Sequence, residues 1–324
     1  MRKQWKPLSA TALLGAAEGV RTNACGWVGA GVLIAAVIVG GAGAAPPPPD
    51  RQAPTKPTID GPVTSTMLRP VFTFGATDGR TPRGRVRFRC AFDGAALRPC
   101  ARIHRPAATL AFGEHSLRVR ALDLAGNSSR VTSFSFRIVG RWDAAVDFER
   151  APRPANPGRD RYGNTAWFYL YSGTPAHDPA DYHLLPHFAL LAPNWEVWYG
   201  SAGPTLTAGT QTGFNSARMI MHPGHWNLGQ NAVLGWRSPV STSARIFVDL
   251  EKFAGVCDVP ENGVVWSVDH GGTILRSGSL GPGATATVRM TVPVAAGDSL
   301  YVVVNDAGDS NCDTVLAEVT VETT

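Results

Sequence analysis

Charge is scarce in this 324-residue chain: Asp, Glu, Lys and Arg together make up 17% of it. Sustained 3.6-residue hydrophobic periods are few as well, which argues against a helical protein. Cysteine is limited to five residues, with no CxxC pair and no Cys/His cluster at zinc spacing, so no structural zinc motif is present. The best histidine pair, His183 and His187, is interrupted by Pro186, which breaks the helix that would place both on one face. A Gly-x-Ser-x-Gly elbow in a strand–helix setting is also missing; Ser277 and Ser279 fall in a hairpin region. Nothing nominates a pair of acids for glycoside cleavage. What the chain has in quantity is 35 glycines and 25 prolines, the punctuation of short strands and tight turns. The expectation is an all-β protein.

One long apolar run stands out. Residues 26–45 hold no charged side chain, and about 20 such residues are needed to cross ~30 Å of hydrocarbon. Arg2, Lys3, Lys6 and Arg21 precede the run against the single Glu18, which keeps the N-terminus inside and sends the rest out. The segment is therefore an N-terminal hydrophobic helix, either a membrane anchor or the core of a signal peptide cut near Ala44. Either outcome puts the remainder at the cell membrane with extracellular domains, or makes it a secreted protein. Residues 1–25 become a cytoplasmic leader, and the proline-dense residues 46–57 a semi-rigid linker at about 3.1 Å per residue.

Charge divides the rest of the chain. Residues 54–140 carry 14 Lys and Arg against 5 Asp and Glu, whereas residues 141–324 carry 11 against 18. Two domains are expected, 58–140 and 141–324. Cys90 and Cys100 fall in the first and Cys257 and Cys312 in the second, so two intradomain disulfides are expected in an oxidising compartment. Each would stabilise its fold by roughly 2–4 kcal/mol.

In the first domain the run from Arg83 to Cys90 puts arginine at every odd position and Gly, Val, Phe or Cys at every even one. Period two means a strand with one face buried and the other cationic. Leu117, Val119 and Ala121 alternate with Arg118 and Arg120 in the same way, and Phe136 and Ile138 alternate with Arg137. Neighbouring strands of this kind would gather six or seven arginines on one surface. Such a surface could hold an acidic polymer, or simply be a solvated face. No aromatics for base stacking share it, so nucleic acid is not an expected partner. The loop from Cys90 to Cys100 around Asp93-Gly94, the Gly113-Glu114-His115 strand start and the Asp123-Leu-Ala-Gly-Asn127 turn together resemble a bacterial extracellular immunoglobulin-like repeat. That resemblance implies a spacer or adhesion module without a catalytic site. His115 is then a packing residue, and Asp123 and Asn127 are turn residues.

The second domain shows about ten short strands and no convincing helix, a pattern that suits a two-sheet jelly roll. Met221-His222-Pro223-Gly224, the stretch from Asn231 through Trp236 to Pro239, and Ala296-Gly297-Asp298 are similar to jelly-roll modules of bacterial secreted proteins. Those modules are related in architecture to galactose-binding-like and carbohydrate-binding domains. Sugars stack their apolar faces on exposed aromatic rings. Trp195, Trp198 and Tyr199 in a loop-like stretch are the candidates here, with Trp167 and the tyrosines of its strand extending the platform. For a hard cation, Asp147 and Glu149 on the first strand and Asp313 at the start of the last one could converge, and calcium is the ion such an oxygen set admits. No other cofactor is called for.

The expected architecture is an immunoglobulin-like sandwich followed by a jelly-roll sandwich, behind one hydrophobic helix. The expected function is non-catalytic binding or adhesion to a polysaccharide or other cell-envelope polymer. A jelly-roll hydrolase or metal-dependent enzyme, and a purely structural envelope protein, are the alternatives.

Overall fold

A computed structural model describes residues 48–150, 155–192, 195–200, 204–208, 218–224, 230–254, 262–308 and 312–324. The chain divides into two units, residues 1–48 and 49–324, and every described strand belongs to the second. The apolar run at 26–45 lies outside the described residues, as does Cys257. No described helix is long and apolar enough to cross a membrane.

The all-β expectation holds, and the sheets form two sandwiches. In the first, Thr58–Asp60, Phe72–Gly75 and Ile103–His104 make a three-stranded sheet. It faces five strands in the order Thr64–Ser65, Thr132–Ile138, Gly113–Leu122, Arg87–Phe92, Arg98–Cys100. Period-two alternation works as physics requires: Phe88, Cys90, Leu117, Val119, Phe136 and Ile138 are buried together with Phe72 and Phe74, and the arginines point away. Cys90 and Cys100 form a disulfide across the edge of the five-stranded sheet, with Cα atoms 6.0 Å apart. Alternation begins later than the sequence suggests. Arg83–Arg85 is a single 3-10 turn, so the strand starts at Arg87.

Residues 50–57 are not a free spacer. Pro54 and Pro57 are buried, Thr55 N–H donates to the Thr77 carbonyl, and the Asn127 amide donates to the carbonyls of Asp50 and Gln52. Proline keeps this stretch extended, but its carbonyls and rings find partners on the first sandwich. Asn127 also bonds both oxygens of Asp123, at 2.7 Å each, which closes the turn between two strands. His115 stacks on Phe136 and places Nδ1 2.7 Å from Asp93 and Nε2 2.8 Å from the Ala111 carbonyl.

The second sandwich packs seven strands on eight. The seven run Gly158–Arg159, Thr165–Ser172, Ala232–Arg237, Ser299–Asn305, Val264–His270, Thr273–Leu280, with Tyr182–Leu184 added beside Thr165–Ser172. The eight include Thr242–Lys252 paired on one side with Thr285–Val294 and on the other with Val315–Thr323. Trp167, Tyr169, Leu234, Trp236, Val302 and Val304 from the first sheet meet Ile246, Val248, Leu250, Val319 and Val321 from the second. Residues 140–142 join the two sandwiches. Trp142 is fully buried, its ring lying 5.6 Å from Phe112, 5.7 Å from Tyr162 and 5.2 Å from Trp236. Gly140 is required beside it, because a Cβ there would lie 2.5 Å from the indole.

The expected first strand of this domain is partly a helix, Ala144–Arg150, whose start Asp143 caps through Val146 N–H. Asp147 on that helix is buried and accepts a 2.9 Å hydrogen bond from Trp167 Nε1. Burial pushes its carboxyl above the ordinary range, and the Trp167 bond pulls it only part of the way back. A raised native-state pKa means stability present below the unfolded value of about 3.9 and lost as pH rises through the folded value. Asp147→Asn keeps an acceptor for Trp167 and discards the charge. Thermal melts at pH 7 should therefore place this variant level with or above the wild type, with the difference narrowing at pH 4. Asp147→Ala should cost about 1–3 kcal/mol, because it leaves the indole N–H buried without an acceptor.

Candidate functional site

Strands in the middle of the seven-stranded sheet are apolar on both faces. In Ala232–Arg237 the first five residues are all buried, and in Ser299–Asn305 Val302, Val303 and Val304 are buried in succession. One face of each closes the core between the two large sheets. The other carries a second, smaller cluster of Leu170, Val233 and Val303, flanked by Phe168, Tyr182 and Tyr301. Such a sheet needs cover on both sides.

That cover is residues 173–184, which leave the Thr165–Ser172 strand, cross the outer face and return as the short Tyr182–Leu184 strand. The crossing folds on itself through Asp181, which accepts from Thr174 N–H and Oγ1 at 3.0 and 2.7 Å, and through Asp178, which caps Ala180 N–H. Several contacts fasten it to the sheet, among them a hydrogen bond from Asn231 Nδ2 to the Thr174 carbonyl. The Tyr182 ring meets Tyr301 edge to face with centroids 4.9 Å apart, and His177 Nδ1 lies 2.9 Å from Asp269 Oδ2.

A cavity of about 240 Å³ remains under and beside this strap. Register explains its floor. Phe168, Gly235 and Tyr301 stand side by side on three neighbouring strands and line it, while Asp269, next in the row opposite Tyr301, is buried outside the lining. Gly235 lets the Tyr301 ring and Leu170 lie close over its backbone; a Cβ there would sit 3.1 Å from Tyr301 and 3.2 Å from Leu170. Pro179, Tyr182 and Leu184 of the strap form one wall, and Arg237 and Ser299 the other. The Arg237 guanidinium lies 4.7 Å over the Phe168 ring, a cation–π contact that holds it at the rim.

Two polar groups near this cavity are buried without partners, the Tyr182 hydroxyl and Asp269 Oδ1. Burial and the neighbouring Asp269 charge push the Tyr182 phenol well above its usual range, so it stays a neutral donor at any physiological pH. Burial likewise raises Asp269, with the hydrogen bonds from His177 and Ser267 offsetting part of the rise. Ser267 Oγ is 3.1 Å from His177 Nδ1, the same nitrogen that faces Asp269. In a nucleophilic relay the acid and the hydroxyl address opposite ring nitrogens. Here both meet at one, so these residues anchor the strap and do not form a serine relay.

The aromatic platform expected from the sequence is not assembled. Trp167 points inward and spends its N–H on Asp147. Trp198 is only 9% exposed and packs against Phe188 in the core. The 195–199 stretch is the strand Trp195–Tyr199 of the eight-stranded sheet, not a loop; Tyr199 is half-buried beside His187, and the Trp195 side chain lies outside the described residues. The expected calcium set is also dispersed. Asp147 is committed to Trp167, Glu149 is on the helix, and Asp313 is fully buried 3.7 Å from the equally buried Lys252. Among the described residues, the only three such groups close together are Asp50, Asp78 and Asp123 in the first sandwich, within 4.8 Å of one another. The described histidines do not cluster: His183 faces Asp181, and His222 Nδ1 donates to the Pro223 carbonyl. Phe168, Tyr182, Gly235, Arg237, Asp269 and Tyr301 were not singled out by sequence. The available signal was the double-sided apolarity of their strands.

Neither a family model nor a curated protein matches the chain. Solved structures that resemble it include a carbohydrate-binding module of the β-sandwich superfamily, at 10% identity and a TM-score of 0.30, covering 83% of this chain and 98% of that one. A family 51 carbohydrate-binding module with adjoining domains from Clostridium perfringens ZmpB matches at 14% identity and 0.28, covering 83% and 48%. A PKD domain of an M14-like peptidase from a Thermoplasmatales archaeon matches at 14% and 0.23, covering 27% and 96%. At such scores the sandwich assignment rests on this chain's own sheets.

Removing the strap's anchor tests how the site is held. His177→Ala leaves Asp269 buried without the imidazole and should cost about 1–3 kcal/mol at pH 7. The loss should shrink as the pH falls through the raised pKa of Asp269, because the protonated acid no longer needs the partner. Chemical denaturation at pH 7 and pH 4.5 measures both effects.

Proposed function

We propose that this is an exported, non-catalytic carbohydrate-binding protein, and that the cavity on the outer face of the seven-stranded sheet takes a single sugar ring. The observation that carries the proposal is the cavity lined by Phe168 and Tyr301 on either side of Gly235, with Arg237 and Ser299 at the rim. A pyranose presents an apolar C–H face and a girdle of hydroxyls. Aromatic side chains suit the first, while guanidinium and hydroxyl groups suit the second. At about 240 Å³ the cavity is below the ~300–1,000 Å³ usual for drug-sized ligands, which favours one ring at a chain end or branch over a buried oligosaccharide. Export is supported by residues 26–45 and by the Cys90–Cys100 disulfide.

Glycan-array screening of the full chain, followed by calorimetry with the best ligand, tests this. Phe168→Ala and Gly235→Val should each weaken binding at least tenfold, with Arg237→Ala between these and wild type, while the melting temperature of Arg237→Ala stays near that of wild type. Binding that survives Phe168→Ala and Gly235→Val but is lost in Trp195→Ala would move the site to the eight-stranded sheet. Turnover of a bound glycan would replace the proposal with a hydrolase.

A further inference from the structure

The outward face of the five-stranded sheet in the first sandwich is an arginine surface. Arg87 and Arg89 project from Arg87–Phe92, Arg118 and Arg120 from Gly113–Leu122, and Arg137 from Thr132–Ile138. Register sets Arg89 directly opposite Arg120, places Arg118 one outward pair further along opposite Ala91, and puts Arg137 opposite Glu114. Glu114 is the one acid on these strands, and Arg137 already faces it at 3.6 Å. Arg118 donates to the Ala95 carbonyl at 2.6 Å. Among the described residues, Arg87, Arg89 and Arg120 have no ion-pair partner.

This arrangement costs stability on its own. Like charges directly opposite each other on an antiparallel pair repel. The Nε atoms of Arg118 and Arg120 are, in addition, buried and unbonded, so their stems lie against the sheet and the guanidinium groups are held rather than free to spread. An anion placed between the guanidinium groups removes the repulsion and accepts from their terminal N–H groups.

We propose that this face binds an extended polyanionic glycan, a chain whose repeated carboxylate or sulfate groups seat in the arginine forks. Arginine suits either group because its planar fork makes two parallel hydrogen bonds to two oxygens. The sheet presents the forks on a fixed grid, about 5 Å across strands and about 6.7 Å along them, which matches repeated charges on a linear polymer better than one small anion. Single-stranded nucleic acid would need stacking rings, and the other outward residues here, among them Ala91, Pro99, Ser116, Leu122, Ser133 and Ser135, include no aromatic. A lipid surface would need large apolar side chains protruding beside the cations, and none of the exposed large hydrophobic residues is on these strands. The imbalance of 14 basic to 5 acidic residues over 54–140 extends the same field beyond the face itself.

The test uses the full chain with polygalacturonate, dextran sulfate, neutral dextran and a DNA duplex, by biolayer interferometry at 50 and 300 mM NaCl. Polygalacturonate or dextran sulfate should bind, neutral dextran should not, and affinity should fall at least tenfold at the higher salt. Whichever of the two polyanions binds more tightly names the natural group. The Arg89→Gln/Arg120→Gln double variant should lose at least tenfold in affinity while its melting temperature holds or rises, since the opposed charges are gone. Arg89→Lys/Arg120→Lys, which keeps the charge without the fork, should fall between, and it decides the matter if the glutamine variant does not fold. Phe168→Ala should leave this binding untouched. Unchanged affinity in both double variants, equal binding to neutral dextran, or tighter binding to the duplex than to either glycan would overturn the proposal.

Discussion

The Thr165–Ser172, Ala232–Arg237 and Ser299–Asn305 strands are apolar above and below, and most of the second sandwich results from covering both sides. The eight-stranded sheet covers one side. Among the described residues, the strap of residues 173–184 covers the other, closing over Leu170, Val233 and Val303 with an opening beside them. The cavity is thus the unfinished part of a second hydrophobic layer. Its polar rim has the same geometric origin: Arg237 and Ser299 pair with each other in register where the apolar strands run out.

Buried acids in this half answer to indoles and an ammonium group more than to solvent. Trp142 Nε1 donates to Asp160 at 2.7 Å and Trp167 Nε1 to Asp147 at 2.9 Å, while Asp313 lies near Lys252. A buried indole N–H is stabilised by an acceptor. Trp142 and Trp167 have theirs and are core residues, not a sugar platform, whereas the N–H groups of Trp236 and Trp266 are buried without one among the described residues. In the basic half the relation to solvent is reversed, with cations on the outside and carboxylates used mainly to cap turns, as Asp93 and Asp123 do.

Much of the architecture was legible because strand periodicity is local. Arg87 to Cys90, Leu117 to Ala121 and Phe136 to Ile138 announce their faces within a few residues, and the Cys90–Cys100 loop announces its own closure. The errors came where neighbouring signals compete. Proline near residues 50–57 reads as a spacer until the Asn127 amide and Thr77 carbonyl are placed beside it. Residues 144–150 lack any turn marker separating helix from strand. The cavity was invisible for a different reason: Phe168, Gly235 and Tyr301 are far apart in sequence, and only sheet order makes them neighbours. Without pairing partners, the more conspicuous Trp195 and Trp198 outweigh an unremarkable phenylalanine and glycine.

Trp142 has a mechanical consequence. Its ring is lodged among Phe112 of one sandwich and Tyr162 and Trp236 of the other, and Gly140 and Thr323 are bonded to each other through both backbone and side chain. Tension applied along the polypeptide would have to extract that indole before either half could pivot. The junction therefore behaves as a stiff elbow under load, passing a pull on one half directly to the other.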